Sequence, residues 1–533
     1  MAGIQAASAP DAAGAGAGGA SGGTPDTSIG LRREILVVLP GLLLAIMLAM
    51  LDQLIVGTAL PRIVGSLGGV AHLSWVVTAY VLASTITTPL YGKLGDMYGR
   101  KKLFMAAIVL FLAGSALAGL SQSMAELITF RAVQGLGAGG LMVSAIAIIG
   151  DLVSPRERGQ YMGYIMGVMM LATIGGPLLG GFITDSFSWR WIFYINLPIG
   201  GAALAYLAVT LKLPKRRIEH RVDYLGAAIL AVGTTALVLL STWGGSQYAW
   251  RSPQIIGLGV LAVAALVAFI RVETRAAEPI LPLHVFRNSN FALVSGLSFL
   301  AGLAMFGAIT FLPLYQQTVQ GASPTISGLL LTPMMVGVMI TSLIAGQLTT
   351  RTGRYKALPI LGTAGMAAGM YLLSLLGVNT SRVTSGLFMA VLGLGMGFLM
   401  QTTTLLAQNS VQPRDIGVAS SSRLFFQQIG GSIGVSAFGA IFARRLQEAL
   451  TARAPGVHLS TGGGQFNPAT VKALPTPLQH DVFYAVTHAI HGVFIWALPA
   501  MLLAFVLAWF IKEVPLRGRS APAEEPAAAE LVG

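Results

Sequence analysis

Asp52 is the first residue whose type and place could do chemistry, because it lies inside an apolar stretch, 35–60, long enough to cross a bilayer. A bare carboxylate in hydrocarbon is expensive, so an acid at this depth points to an ion or proton site. The plainer alternative is a structural Asp hydrogen-bonded to a neighbouring helix. Arg131, in the stretch 127–149, is the second such residue. An arginine stays charged and holds a nearby carboxylate ionised, whereas burial drives that carboxylate toward its protonated form. Asp52 stands nine residues before Pro61, about 13 Å along a helix, and Arg131 five residues after Glu126, roughly 8 Å. Both therefore fall in the outer half of the membrane at similar depth, although contact is not required. The plainer role for Arg131 is an anchor to backbone carbonyls. A further cluster, Asp96, Arg100, Lys101 and Lys102, follows the second apolar stretch and reads on its own as a solvated loop.

Other chemistries find no support. Gly135-Leu136-Gly137-Ala138-Gly139-Gly140 matches a dinucleotide fingerprint in form, but it lies within an apolar helix rather than after a strand. Small residues there let helices approach closely. No metal-ligand spacing, phosphate loop or nucleophile–base pair stands out, so no enzyme, no metal and no cofactor is expected. The absence of cysteine excludes disulfides and thiolate chemistry.

The elements that must position these residues are membrane helices. Of 533 residues, 54% are hydrophobic and only 10% charged, with mean hydropathy +0.74, against about 25% charged in soluble domains. Continuous apolar stretches fit an all-α polytopic protein and not the alternating strands of a barrel. Fourteen stretches of spanning length occur: 35–60, 74–91, 103–120, 127–149, 162–184, 191–211, 224–243, 254–270, 291–315, 325–349, 357–376, 384–407, 424–443 and 486–511. With the N-terminus inside, 24 of the 33 Lys and Arg fall in inner segments, Arg423 among them, and eight in outer ones. That bias predicts a plasma or inner membrane protein with both termini cytoplasmic. It also accounts for the net charge of +13 without nucleic acid. The ends 1–30 and 520–533 read as disordered cytoplasmic tails, and the outer connection 444–485, rich in Gly and Pro, as a flexible loop.

Two segments repeat. Gly92-Lys-Leu-Gly-Asp-Met-Tyr-Gly99-Arg-Lys-Lys102 and Gly346-Gln-Leu-Thr-Thr-Arg-Thr-Gly353-Arg-Tyr-Lys356 share Gly at positions one and eight, Arg at nine and Lys at eleven. A repeat of this kind suggests two transporter halves with the substrate site between them. The expected organisation is a six-helix bundle (31–212), two inserted helices with linkers (213–288) and a second six-helix bundle (289–519). The gapless counterpart of Asp52 is then Phe306, so the acid is one-sided.

The first of these loops resembles the signature between helices two and three of the major facilitator superfamily. Other stretches resemble its fourteen-helix drug:proton antiporter branch: Leu51-Asp52-Gln53 to Ala59-Leu60-Pro61, Arg131-Ala-Val-Gln134-Gly135-Leu-Gly137, Gly176-Pro177-Leu-Leu-Gly180-Gly181, and Trp189-Arg190-Trp191 through Asn196-Leu-Pro198-Ile-Gly200. Departures are Leu54 where the branch usually has Thr, Ala172 for a Gly, and Thr350 at the position of Asp96. The resemblance implies the major facilitator fold and proton coupling through Asp52 and Arg131. It implies a gating loop of Gly92, Asp96, Gly99, Arg100 and Lys101, with Asp96 as a latch, and an antiporter motif of Gly176, Pro177, Gly180 and Gly181.

Flexible thioethers, rings and amides suit adaptable binding of amphipathic compounds. The cavity candidates are accordingly Gln134, Met166, Met170, Phe306, Gln316 and Gln401. The expected function is a monomeric, proton-driven exporter of amphipathic drug-like compounds, cationic or neutral. An exporter dedicated to one endogenous metabolite, antibiotic or lipid is the alternative.

Overall fold

The computed structural model describes residues 27–67, 73–153, 157–213, 223–244, 247–276, 278–412, 415–453 and 475–514. Fourteen helical segments of spanning length follow one another among them: α1 (Thr27–Leu67), α2 (Leu73–Tyr98), α3 (Arg100–Leu120), α4 (Met124–Leu152), α5 (Arg158–Ser186), α6 (Trp191–Tyr194 continued by Asn196–Thr210), α7 (Tyr224–Trp243), α8 (Pro253–Glu273), α9 (Ser289–Thr318), α10 (Pro324–Leu330 continued by Thr332–Thr352), α11 (Ala357–Ser374), α12 (Arg382–Asn409), α13 (Ile416–Arg453) and α14 (Thr476–Trp509). Each coincides with one stretch read from the sequence. Thirteen are long and apolar enough to cross a membrane by length and composition. The exception, α2, has 26 residues. The hydroxyls of its Ser84, Thr85, Thr87 and Thr88 donate to carbonyls three or four residues back, so none of these four is left bare.

Local chemistry sets the helix ends. Ser123, Ser252, Ser323 and Ser381 cap the amino ends of α4, α8, α10 and α12 by accepting backbone N–H groups. Gly99 (φ 95°) and Gly353 (φ 69°) terminate α2 and α10 at equivalent positions of the repeat, in a backbone region that favours glycine. The end of the molecule that carries these two glycines is termed inner, following the charge bias, and the opposite end outer.

In the first half α4 packs between α2 and α3, and α1 against α5 and α6; in the second, α12 packs between α10 and α11, and α9 against α13 and α14. Small residues allow these approaches. A Cβ on Gly139 would stand 2.5 Å from the Ser84 carbonyl of α2, and one on Gly137 2.5 Å from the Phe111 nitrogen of α3. The halves meet along two seams, α2 with α13 and α5 with α10. The inserted helices α7 and α8 pair with each other, and α7 lies across the first seam. Near its outer end Ser241 is hydrogen-bonded to Ser432 of α13 and its carbonyl accepts from Ser436. At the inner end, the segment after α8 brings Glu278 to Lys93 of α2 at 2.6 Å.

Three sequence expectations change. The helix α1 starts at Thr27, inside the expected tail; the other tail residues lie outside the described ones, apart from those of α1. The connection 444–485 is helical at both ends, because α13 runs on to Arg453, with an Arg444–Glu448 pair at 2.8 Å one turn apart, and α14 begins at Thr476. Residues 454–474 are outside the described residues. Arg423, counted with an inner loop, lies within α13.

Candidate functional site

Asp52 and Arg131 touch. Both are fully buried, and the Arg131 Nη1 donates to Asp52 Oδ2 at 2.5 Å. The other carboxylate oxygen accepts from Gln134 Nε2 at 2.9 Å and from Asn196 Nδ2 at 2.7 Å. Gln134 stands three residues after Arg131 on the same face of α4, so one helix supplies both a charged and a neutral donor. Its Oε1 also accepts from Arg131 at 2.8 Å. Arg131 Nε reaches the Val76 carbonyl at 3.3 Å, and the guanidinium lies over the Tyr80 ring at 4.1 Å. Arg131 is thus both the partner of the acid and an anchor to backbone.

Helix α6 closes the shell. Its break between Tyr194 and Asn196 points Asn196 inward, where the amide also donates to Ser115 Oγ of α3 at 2.9 Å, and Ser115 donates to the Phe193 carbonyl at 2.9 Å. Asn196 Oδ1 is buried without a hydrogen-bond partner. Apolar residues exclude water around this network: Ile55, Leu127, Ile192 and Phe193 belong to one buried cluster at the outer end of the first half. Asn196, Ser115 and Tyr80 were not picked out from the sequence. Asn196 lay inside a recognised motif, but nothing in the spacing tied it to a residue 144 positions away.

The remaining candidates disperse. Gln134 belongs to the carboxylate shell and not to an open cavity surface. Met166 and Met170 lie on α5, buried and half-buried. Phe306 packs on α13, where a Cβ on Gly431 would overlap its ring, standing 2.7 Å from Cγ. Gln316 is fully buried with Nε2 on Met389 Sδ at 3.6 Å and Oε1 unpartnered, and Gln401 is buried with both amide atoms unpartnered. Gly176 meets α1, 2.6 Å from Leu54 Cβ if given a Cβ. The carbonyls of Gly180 and Gly181 accept from the Thr184 hydroxyl at 2.7 and 3.1 Å. Pro177 lies in α5, its side chain outside the described ones.

At the inner end the two halves are tied. Asp96 accepts from the backbone N–H groups of Gly417 and Val418, at the start of α13, at 3.2 and 3.0 Å. Arg100 holds the same carboxylate at 2.7 Å and Asp151 at 3.0 Å. Gly92 lets α2 approach, since a Cβ there would stand 2.5 Å from Ser421 Cβ and 2.7 Å from the Gly417 carbonyl. Arg158 of α5 donates to Gln408 of α12 at 3.1 Å, and burial pulls its guanidinium down to about 10. Lys101 sits apart, donating to the Ala208 carbonyl of α6 at 2.8 Å. In the second loop Thr350 bonds back to Gly346 at 2.8 Å, so the two loops are not chemically equivalent.

The sequence model of the Major Facilitator Superfamily matches residues 42–224 and 224–435. A Mycobacterium tuberculosis protein described as an uncharacterized MFS-type transporter is 41% identical over 490 residues, 91% of this chain and 70% of that one. The multidrug transporter protein MdtP of Bacillus subtilis is 37% identical over 516 residues, 92% and 95% of the two chains. Among solved structures, the proton:xylose symporter XylE superposes with a TM-score of 0.58 at 16% identity, covering 91% of this chain and 98% of that one, which speaks for the fold alone.

Proposed function

The chain belongs to the major facilitator superfamily and is a multi-pass membrane transporter, and from that premise we propose that it is a proton-coupled exporter of amphipathic small molecules. The observation that carries this reading is Asp52, a carboxylate fully buried on three side-chain donors of its own half. Gln134 and Asn196 are amides, which can offer either N–H or C=O to the acid. The shell can therefore receive the carboxylate as built, or the carboxylic acid after an amide turns, when the Asn196 Oδ1, unpartnered as built, would accept a hydrogen bond from the acid's O–H. Substrate and proton favour opposite access states, and this difference is the coupling. A relative named an efflux pump, beside others named a multidrug transporter and a multidrug resistance protein, supports export over import.

The test is transport in proteoliposomes of one orientation. An imposed pH gradient should drive a lipophilic fluorescent dye uphill, with collapse on adding a protonophore. Dye movement that ignores the gradient would leave a facilitator without coupling.

In this reading the tied inner end is the cytoplasmic side, closed, and Asp96 is its latch. Asp96 lies past the apolar part of α2. Burial pushes its carboxyl up from 3.8 to about 6, with the Arg100 charge and the Val418 N–H working against that rise. Opening would return the group to water and toward its ordinary value. The closed state then binds the proton more tightly, so it gains as pH falls through 6 and loses as pH rises through it. The full effect is about a hundredfold in the closed-to-open ratio. Spin labels on cysteines introduced at the exposed Tyr98 and Gln412 should report more separation at pH 7.5 than at pH 4.5, and Asp96→Asn should remove the dependence.

A further inference from the structure

Arg423 is the buried charge that proton coupling leaves unused. It lies on α13, seven residues past Ile416 and so about 10 Å from the inner end, and is 4% exposed. Arg131 has Asp52, and Arg100 has Asp96 and Asp151. Arg423 has a single hydrogen bond, from Nε to Thr403 Oγ1 of α12 at 3.3 Å. Among the described residues no carboxylate pairs with it, and neither Nη atom meets a protein acceptor. Buried charges are ordinarily paired, because an uncompensated one is costly in low dielectric.

Two further polar groups at this depth are unmet. Gln401 of α12, eight residues before Asn409, is 2% exposed with neither amide atom bonded, about 12 Å in. It is on the same face as Gln408, seven residues on, which touches Arg158 of the first half. Ser298 of α9, nine residues after Ser289, is 2% exposed with its hydroxyl unpartnered, about 13 Å in. The helices α9, α12 and α13 pack against one another. Three helices of the second half thus bring a guanidinium, an amide and a hydroxyl to one level, with a net positive charge.

We propose that Arg423 is the binding point for an anionic group, a carboxylate or sulfonate, on the transported compound, with Gln401 and Ser298 as further polar contacts. This rests on the export reading above and sets the charge of its substrate. The two Nη groups form the planar fork that takes such a group through paired hydrogen bonds. A cation would meet uncompensated positive charge there. Asp52 does not relieve it, since that acid is matched by Arg131 in the outer part of the other half.

The probes are naphthalene-1-sulfonate and a naphthyl trimethylammonium of the same ring size, titrated into the purified full-length protein by calorimetry and thermal unfolding, in chloride and in gluconate. The sulfonate should raise Tm and bind at least about tenfold tighter than the ammonium, the scale of one charge-assisted hydrogen-bond pair. Arg423→Gln should lose that preference while the empty protein becomes more heat-stable, and Arg423→Lys should fall between. An unchanged sulfonate affinity in Arg423→Gln, or equal weakening of both probes, overturns the proposal. So does chloride alone giving the full stabilisation with nothing added by the sulfonate, which would make this an inorganic-anion site. Binding needs no proton gradient, so these results are separable from failure of proton coupling, which appears only in flux.

Discussion

Asp52→Asn is expected to abolish uphill transport while leaving downhill exchange in place. A gradient of two pH units is worth about 2.7 kcal/mol per proton, or about a hundredfold accumulation at one proton per substrate. Asn has the shape of Asp and no proton to carry, so accumulation should fall to unity. Exchange of labelled for unlabelled substrate across the membrane should continue, since it needs no coupling. The substitution also leaves Arg131 buried with a neutral partner, and breaking a buried pair costs about 3–5 kcal/mol. The double variant Asp52→Asn/Arg131→Gln removes both charges and should recover much of the thermal stability without recovering accumulation. If the single variant still concentrates substrate along the pH gradient, Asp52 is structural and the proton travels elsewhere.

Gly92→Val should hold the inner end apart. A Cβ at this position already meets Ser421 Cβ at 2.5 Å and the Gly417 carbonyl at 2.7 Å, and a branched side chain adds to both overlaps. Overpacking of this kind costs about 1–3 kcal/mol, which shifts a closed-to-open ratio by roughly 5- to 150-fold. Label separation between positions 98 and 412 should increase, and turnover should fall by a comparable factor. Gly57→Ala is the control, because nothing lies within 4 Å of a Cβ there; it should transport normally. Normal turnover in Gly92→Val would mean that α2 and α13 need not approach this closely during the cycle.

The helices were legible because hydrocarbon demands long apolar stretches, and α1 to α14 each follow one. Their ends were less so, since α13 continues for a polar stretch to Arg453 once outside the lipid-length region. Asp52 and Arg131 could be placed at one depth by counting residues. Their contact, and the arrival of Asn196 and Ser115, depends on helix rotation and on the break in α6, which composition does not encode. Gln134 was read as a cavity residue because an amide on a membrane helix suits either role; only the position of α1 decides. Arg423 was hidden for a related reason: a short polar run, Ser420 to Arg423, resembles a loop, yet it is the second turn of a buried helix.

The inserted pair of helices is joined to both halves at both ends: outside, Ser241 meets α13 while Trp243 packs on Trp75 of α2, and inside, Glu278 meets α2 while Leu230 and Ile280 share an apolar cluster with Val418 and Phe425 of α13. In a framed structure a member joined in this way is a gusset plate, fixed across the joint of two others. It carries no load while the frame is square, and is strained as soon as one corner opens. A rotation that parts the inner ends of α2 and α13 would pull on the inner end of the pair from both sides, through Lys93 and through the apolar cluster with Val418 and Phe425. Such a rotation would require the inserted pair to bend or to release one half. The seam between α5 and α10 has no comparable cover among the described residues. The two sides of the molecule therefore differ in cover, and any rotation of the halves would meet this extra member on one side only.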